Sequence, residues 1–212
     1  ANKAHAFTTP LITKADGTKF GKTESGTVWL DPAMTTPYAF YQFWLNQDDR
    51  DAPGYLAVFT HRSTEAIAEL RASSLERPQD RAAQKALAWD VTAMVHGETA
   101  ARQAHDAARA LFGAASLADI SSGVLEDAVA GLPRAKVGPP VEDWSLVGAL
   151  TASGLERSRG AARRTIQSGG VQVNNVPVVD PNALLTREDF LYGRFALLRR
   201  GRKTLAVAEL VA

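Results

Sequence analysis

The first half of the chain shows the apolar spacing that is typical of helices. In the segment "MTTPYAFYQFWLNQDD", Thr36 is a suitable N-cap, and Pro37 occupies the first helical position, where its missing N–H costs nothing. The face that follows is dense in aromatic side chains, so we expect it to be packed in a core rather than to stack nucleobases. Its members are Tyr38, Phe40, Tyr41, Gln42, Trp44 and Leu45.

The next segment, "DAPGYLAVFTHRS", is less regular. Its Pro53-Gly54 pair should break any helix that runs through it. A new helix is predicted from Ser63 or Thr64, where "STEAIAEL" offers a capping residue and apolar spacing.

A long stretch rich in Ala and other good helix formers follows Pro78 and ends at Gly113. Together these segments predict an all-helical domain over residues 31–130. The next ten residues, "GLPRAKVGPP", hold three prolines and two glycines with no apolar period. We therefore predict an interdomain linker over residues 131–141.

Residues 142–212 have a different pattern, in which two short helices, each closed by glycine, are followed by strands. The segment "VQVNNVPVV" predicts two strands about a turn at Asn174-Asn175. The segment "RFALLRRGRKTLAVAEL" predicts a second hairpin about Arg200-Gly201. We therefore expect a small α+β module.

Composition excludes several classes of protein. Cysteine is absent, which excludes disulfides and thiolate metal sites. The four histidines show no ligand-like grouping, so no metal site is predicted: His5, His61, His96 and His105. The apolar runs are far shorter than the roughly twenty residues of a membrane helix, and we expect a soluble, cytoplasmic protein with no membrane partner.

Charge is unevenly distributed along the chain. The formal net charge of +1 divides into +2 over residues 1–30, −4 over 31–140 and +3 over 141–212. The basic ends permit an anionic partner, although a solvated basic surface is the commoner reason for such an excess.

The segment "DGTKFGKTESGT" combines three glycines with two lysines three positions apart. It is not a Walker A loop, because that pattern needs glycine five positions before Gly21, where Asp16 stands. Taken alone, the segment favours a flexible, solvated surface loop. A mobile phosphate clamp is also compatible with it: Lys19 and Lys22 would bring ammonium groups to a polyphosphate, and Thr23 would add a hydroxyl.

Two basic clusters lie in the last module. The first is on or beside one short helix, where residues 159 and 163 are one turn apart, and consists of Arg157, Arg159, Arg163 and Arg164. The second crowds a hairpin turn and consists of Arg199, Arg200, Arg202 and Lys203. Each could be an ordinary solvated surface, but the two together favour contact with RNA phosphates.

The order of these segments closely resembles the carboxy-terminal half of the bacterial tyrosyl-tRNA synthetases. The resemblance rests on "LITKADGTKFGKTESGTVWLD", "TTPYAFYQFWLNQDDRD", "RAAQKALAWDVTAMVHGE" and "RFALLRRGRK", and runs over essentially the whole chain. It implies a multi-domain α and α+β protein. Residues 1–30 would end a Rossmann-type catalytic domain, 31–130 would form the helical anticodon-binding domain, and 142–212 would form an alpha-L RNA-binding module.

The resemblance also implies roles for residues. Lys19, Lys22 and Thr23 match the KMSKS-type signature, whose lysines bind the ATP phosphates and stabilise the leaving pyrophosphate while tyrosine is activated. The two basic clusters would bind tRNA(Tyr). The intact enzyme would use ATP as a substrate with Mg²⁺ and would be a homodimer.

The family's Rossmann half, with its His-Ile-Gly-His type signature and main dimer surface, is not in these 212 residues. We therefore expect the chain alone to be inactive, to bind no cofactor of its own and to lack most of the dimer surface, which leaves a monomer open. The alternative is a stand-alone, non-catalytic RNA-binding protein with an alpha-L motif and a vestigial loop.

Overall fold

The computed structural model describes residues 4–8, 10–21, 28–138 and 144–211. The chain divides into two compact units, Ala1–Ala101 and Arg102–Ala212, which we term the N-terminal and C-terminal units. The predicted helical domain over 31–130 therefore differs from the structure, because residues 102–130 belong to the C-terminal unit.

Helices dominate the N-terminal unit. In chain order they are α1 (Pro37–Leu45), α2 (Ala52–Phe59), α3 (Thr64–Glu76), a 3₁₀ turn (Pro78–Asp80), α4 (Ala82–His96) and the start of α5 (Glu98–Leu111). Helix α4 packs against α1, α2 and α3. The core includes Phe40, Tyr41, Leu56 and Leu87, each no more than 1% exposed, which confirms the predicted aromatic core face of α1.

The predicted helix starts are confirmed. The amide of Ala39 donates to the Thr36 hydroxyl across 3.3 Å at the start of α1. The amide of Ala66 donates to the Ser63 hydroxyl across 3.2 Å at the start of α3. Each bond satisfies one N–H that has no partner within its helix.

Proline and glycine divide the other helices. Pro53 lies in the first turn of α2, where proline is tolerated, so the Pro53-Gly54 pair begins a helix instead of interrupting one. The stretch from Pro78 to Gly113 is not one helix, because Gly97 separates α4 from α5 with φ +85° and ψ 158°. Such backbone angles are almost confined to glycine.

The C-terminal unit combines helices with a sheet. After α5 come a 3₁₀ turn (Leu117–Asp119), α6 (Ser122–Val129), β1 (Arg134–Val137), α7 (Leu146–Ala152), α8 (Arg159–Gln167), β2 (Val171–Val173), β3 (Val176–Val178), a 3₁₀ turn (Arg187–Asp189), β4 (Phe195–Arg200) and β5 (Thr204–Leu210). The sheet order is β1-β5-β4-β2-β3. Only the β1–β5 pair is parallel among the described strands.

The predicted linker over 131–141 is wrong for four of its residues, because 134–137 form β1. Ala135 and Val137 are 1% and 0% exposed and pair with Ala208 and Leu210 of β5. Burial of these two alternate side chains holds the strand in the sheet, although the glycines and prolines around it are typical of a linker.

Both hairpins of the module are confirmed. Asn174 and Asn175 have φ of +48° and +68° between β2 and β3, and Gly201 has φ +61° between β4 and β5. One face of the sheet packs on α7 and α8, with Leu150 and Ile166 fully buried. Within the described ranges, no helix is long and apolar enough to cross a membrane.

Candidate functional site

The described part of the glycine and lysine loop is a small hairpin in the N-terminal unit. Thr13 and Lys19 form a β-bridge, and the Phe20 amide donates to the Ile12 carbonyl across 3.1 Å. The chain reverses at Asp16 and Gly17, the latter with φ +81°. This hairpin presents the Lys19 side chain to solvent.

Asp16 stabilises the turn of this hairpin. Its carboxylate accepts from the Thr18 hydroxyl across 2.6 Å and from the Thr18 amide across 2.9 Å. The hydroxyl bond is the main reason that the pKa of Asp16 lies below its ordinary value. Lys22 and Thr23, the other predicted loop residues, lie outside the described residues.

Phe20, which the sequence analysis did not single out, anchors the hairpin on the helices. Its ring lies 6.1 Å from Phe43 and 5.7 Å from Trp44 of α1, and 4.8 Å from Tyr55 and 5.4 Å from Phe59 of α2, measured between centroids. We call these five residues the aromatic cluster. The available signal was that Phe20 is the only large apolar residue in "DGTKFGKTESGT".

The first basic cluster lies on and just before α8 in the C-terminal unit. Its four arginines are exposed: Arg157, Arg159, Arg163 and Arg164. Arg163 donates to the Asn182 side chain across 3.1 Å. Among the described residues, none of the four is paired with a carboxylate. The cluster therefore combines high positive charge with side chains that can reach an anionic partner.

The second basic cluster divides into different environments. Arg202 and Lys203 are exposed in the β4–β5 turn, as predicted. Arg200 pairs with the buried Glu156 across 3.5 Å while its own side chain stays 41% exposed. Arg199 is 9% exposed, donates to the Gln172 side chain and lies beside Gly113. The expectation that Arg199 reaches a phosphate from the turn is thus not supported, because its guanidinium is engaged inside the unit.

Comparison with known proteins adds to this geometry. Residues 1–113 match the family model of the class I tRNA synthetases (W and Y), so the chain belongs to that family. Residues 125–208 match the C-terminal domain of SYY-like tyrosine-tRNA ligases, in agreement with the resemblance found in the sequence.

Two similar proteins are both named tyrosine-tRNA ligase. The tyrosine-tRNA ligase of Thermobifida fusca is 51% identical over 203 residues, which cover 95% of this chain and 47% of that protein. The tyrosine-tRNA ligase of Streptomyces avermitilis is 52% identical over 205 residues, which cover 97% of this chain and 48% of that protein. The chain thus spans about half the length of the curated relatives it matches.

Proposed function

We propose that this chain acts as the carboxy-terminal half of a tyrosine-tRNA ligase, which activates tyrosine with ATP and transfers it to tRNA(Tyr). The observation that carries the proposal is identity of about 50% to tyrosine-tRNA ligases over nearly the whole chain. Because the chain spans half of their length, adenylate synthesis would belong to a longer polypeptide that also supplies the nucleotide fold. We propose a cytoplasmic homodimer for that polypeptide.

The loop would bind the ATP phosphates through Lys19, Lys22 and Thr23. Negative charge builds on the departing pyrophosphate as tyrosine attacks the α-phosphate, and ammonium groups aimed at that charge stabilise the transition state. The exposed Lys19, at the end of a hairpin with a hydrogen-bonded turn, supports this role. Mg²⁺ would accompany the ATP phosphates. Among the described residues, no group of three or more His, Asp or Glu could hold a metal ion.

The RNA-binding surface would consist of the α8 arginines together with Arg200, Arg202 and Lys203. Their exposed positive charge suits phosphate contacts, which fix the position of an RNA without reading its bases. We propose that the C-terminal module holds tRNA(Tyr) and that the helices of the N-terminal unit belong to the anticodon-binding region.

Two measurements test the proposal. In the full-length protein, replacing both Lys19 and Lys22 by Ala should sharply reduce tyrosine-dependent ATP–pyrophosphate exchange, and an unchanged rate would contradict the clamp. The 212-residue chain should bind tRNA(Tyr) with an affinity that falls steeply with salt. A stand-alone RNA-binding protein would show the same salt dependence, but no exchange activity in any form of the protein.

A further inference from the structure

We infer that Phe20 is a positioning residue for Lys19, which it fixes by tying the base of the loop to α1 and α2. The inference rests on the proposed function of the loop and adds a residue with no charge and no expected contact with ATP. The position of Lys19 in the phosphate clamp would then depend on helices α1 and α2 of the N-terminal unit.

The Phe20 ring packs against both helices. Phe20 is surrounded by two rings from α1 and two from α2, at centroid distances of 4.8 to 6.1 Å. Aromatic pairs at such distances attract one another beyond the effect of the area that they bury. Its partners Trp44 and Tyr55 are themselves only 5% and 3% exposed. The Phe20 ring therefore packs against side chains that belong to the helical core.

Helix α2 also contacts the opposite strand of the hairpin. The Tyr55 hydroxyl donates to the Thr13 carbonyl across 3.5 Å, and Thr13 is the bridge partner of Lys19. Burial, followed by the charges of Asp51 and Asp16, raises the pKa of Tyr55 to about 12, so the hydroxyl keeps its proton at neutral pH. Both strands of the hairpin therefore contact the aromatic cluster.

The packing of Phe20 also affects the neighbouring residue, Lys19. The half-buried Phe20 ring packs against the helices, whereas the adjacent Lys19 side chain is exposed to solvent. Lysine carries its ammonium group on a flexible stem, so the position of that group depends on how well the backbone is fixed. Since a displacement of about 1 Å at a reacting group can cost about 100-fold in rate, release of Phe20 should reduce catalysis without changing any charge.

Hydrogen exchange of the 212-residue chain tests the physical connection. Phe20→Ala should speed amide exchange at Thr18 to Phe20 at least tenfold, because the hairpin loses its anchor. Phe190→Leu is the control: it changes a buried phenyl ring in the core of the C-terminal unit, outside the aromatic cluster. It should lower thermal stability while leaving exchange in the hairpin unchanged. Unchanged exchange in Phe20→Ala would overturn the inference.

Pyrophosphate exchange by the full-length protein tests the consequence for function. Phe20→Ala should lower kcat between about tenfold and 100-fold with the KM for tyrosine unchanged, Phe20→Tyr should restore most of the rate, and Phe190→Leu should match the wild type. Lys19→Ala is the reference. If it impairs exchange and Phe20→Ala does not, the positioning role is wrong and the clamp stands. If neither variant impairs exchange, the clamp fails and the positioning role fails with it.

Discussion

The side-chain amide of Asn175 donates to the carbonyl oxygen of Ala110 across 2.7 Å, so the turn of the β2–β3 hairpin caps the last turn of α5. That carbonyl is one of the four at a helix end that have no partner within the helix. Arg199 adds positive charge at the same end, since its Nη2 lies 3.2 Å from where a Cβ on Gly113 would be. A residue of a turn and a residue of a strand thus fix the position of the end of a helix.

Two substitutions at Asn175 should separate this cap from the backbone geometry. Asn175→Gly removes the amide but accommodates φ +68°, and we expect it to lower the free energy of unfolding by about 1 kcal/mol. Asn175→Ala keeps a Cβ in the left-handed region but lacks the short polar side chain that lets Asn adopt it, which should cost about 1 kcal/mol more than the glycine variant. Urea denaturation of the three proteins measures both differences. Equal stability of the two variants would contradict the contribution from strain.

The basic hairpin should show two distinct responses to mutation. Arg202→Ala and Lys203→Ala remove exposed charges, so each should weaken tRNA(Tyr) binding. Each should also reduce the slope of log affinity against log salt concentration by about 1, as expected for the loss of one phosphate contact. Neither should change the melting temperature. Arg199→Ala should lower the melting temperature and leave tRNA(Tyr) binding unchanged, because it removes a buried guanidinium and leaves the half-buried Gln172 without its donor. Filter binding at several salt concentrations, combined with thermal melts, distinguishes the two responses.

The C-terminal unit should lose stability in acid through Glu209. A hydrogen bond from Arg134 at 2.7 Å, aided by Arg194, lowers the pKa of this carboxylate below its ordinary value of 4.5. Because the pKa is lower in the folded state, the stabilisation is complete well above pH 4.5 and is lost as the pH falls through the folded-state pKa.

With Glu209→Gln, the unfolding free energy should therefore decrease less steeply with pH between neutral pH and pH 3. Urea denaturation at a series of pH values measures that slope, and amide exchange in β5 at the same pH values provides a second measurement. Glu188→Gln removes a carboxylate from the exposed surface of the same unit and serves as the control. A slope changed equally by both variants would argue against the ion pair.

Gly97, at the end of α4, and Gly123, inside α6, should respond in opposite directions to alanine. Gly97→Ala should destabilise the protein by about 1–3 kcal/mol, because φ +85° with ψ 158° is strained for any residue with a Cβ. Gly123 lies in α6 without positive φ, and an added Cβ would meet nothing within 4 Å. Gly123→Ala should therefore stabilise by about 0.4–1 kcal/mol. Differential scanning calorimetry of both variants measures the sign of each effect.

Local signals made much of the fold predictable. Thr36 and Ser63 start helices through their own side chains, and Asn174-Asn175 and Gly201 specify their turns through positive φ. These features depend on a few neighbouring residues, so the sequence displays them directly.

The missed features depend on distant residues. Strand β1 forms by pairing with β5, which lies about 70 residues further along the chain. The composition around Arg134 to Val137 is instead typical of a linker. Arg199 looked like its exposed neighbours until Gln172 and Gly113 were placed beside it. Phe20 is one residue in a polar loop, and its role depends on rings contributed by two helices. Pairing across such separations cannot be inferred from local pattern.

The position of β5 affects the order in which the sheet can be assembled. This strand is the fifth in the sequence but second in the sheet, between β1 and β4. During synthesis, β1 emerges from the ribosome with both of its edges open and waits until residues 204–210 have been made. The intervening chain, including α7, α8 and the β2–β3 hairpin, can fold earlier. A nonsense mutation before Thr204 would thus remove a central strand and leave β1 as an unpaired edge available for aggregation.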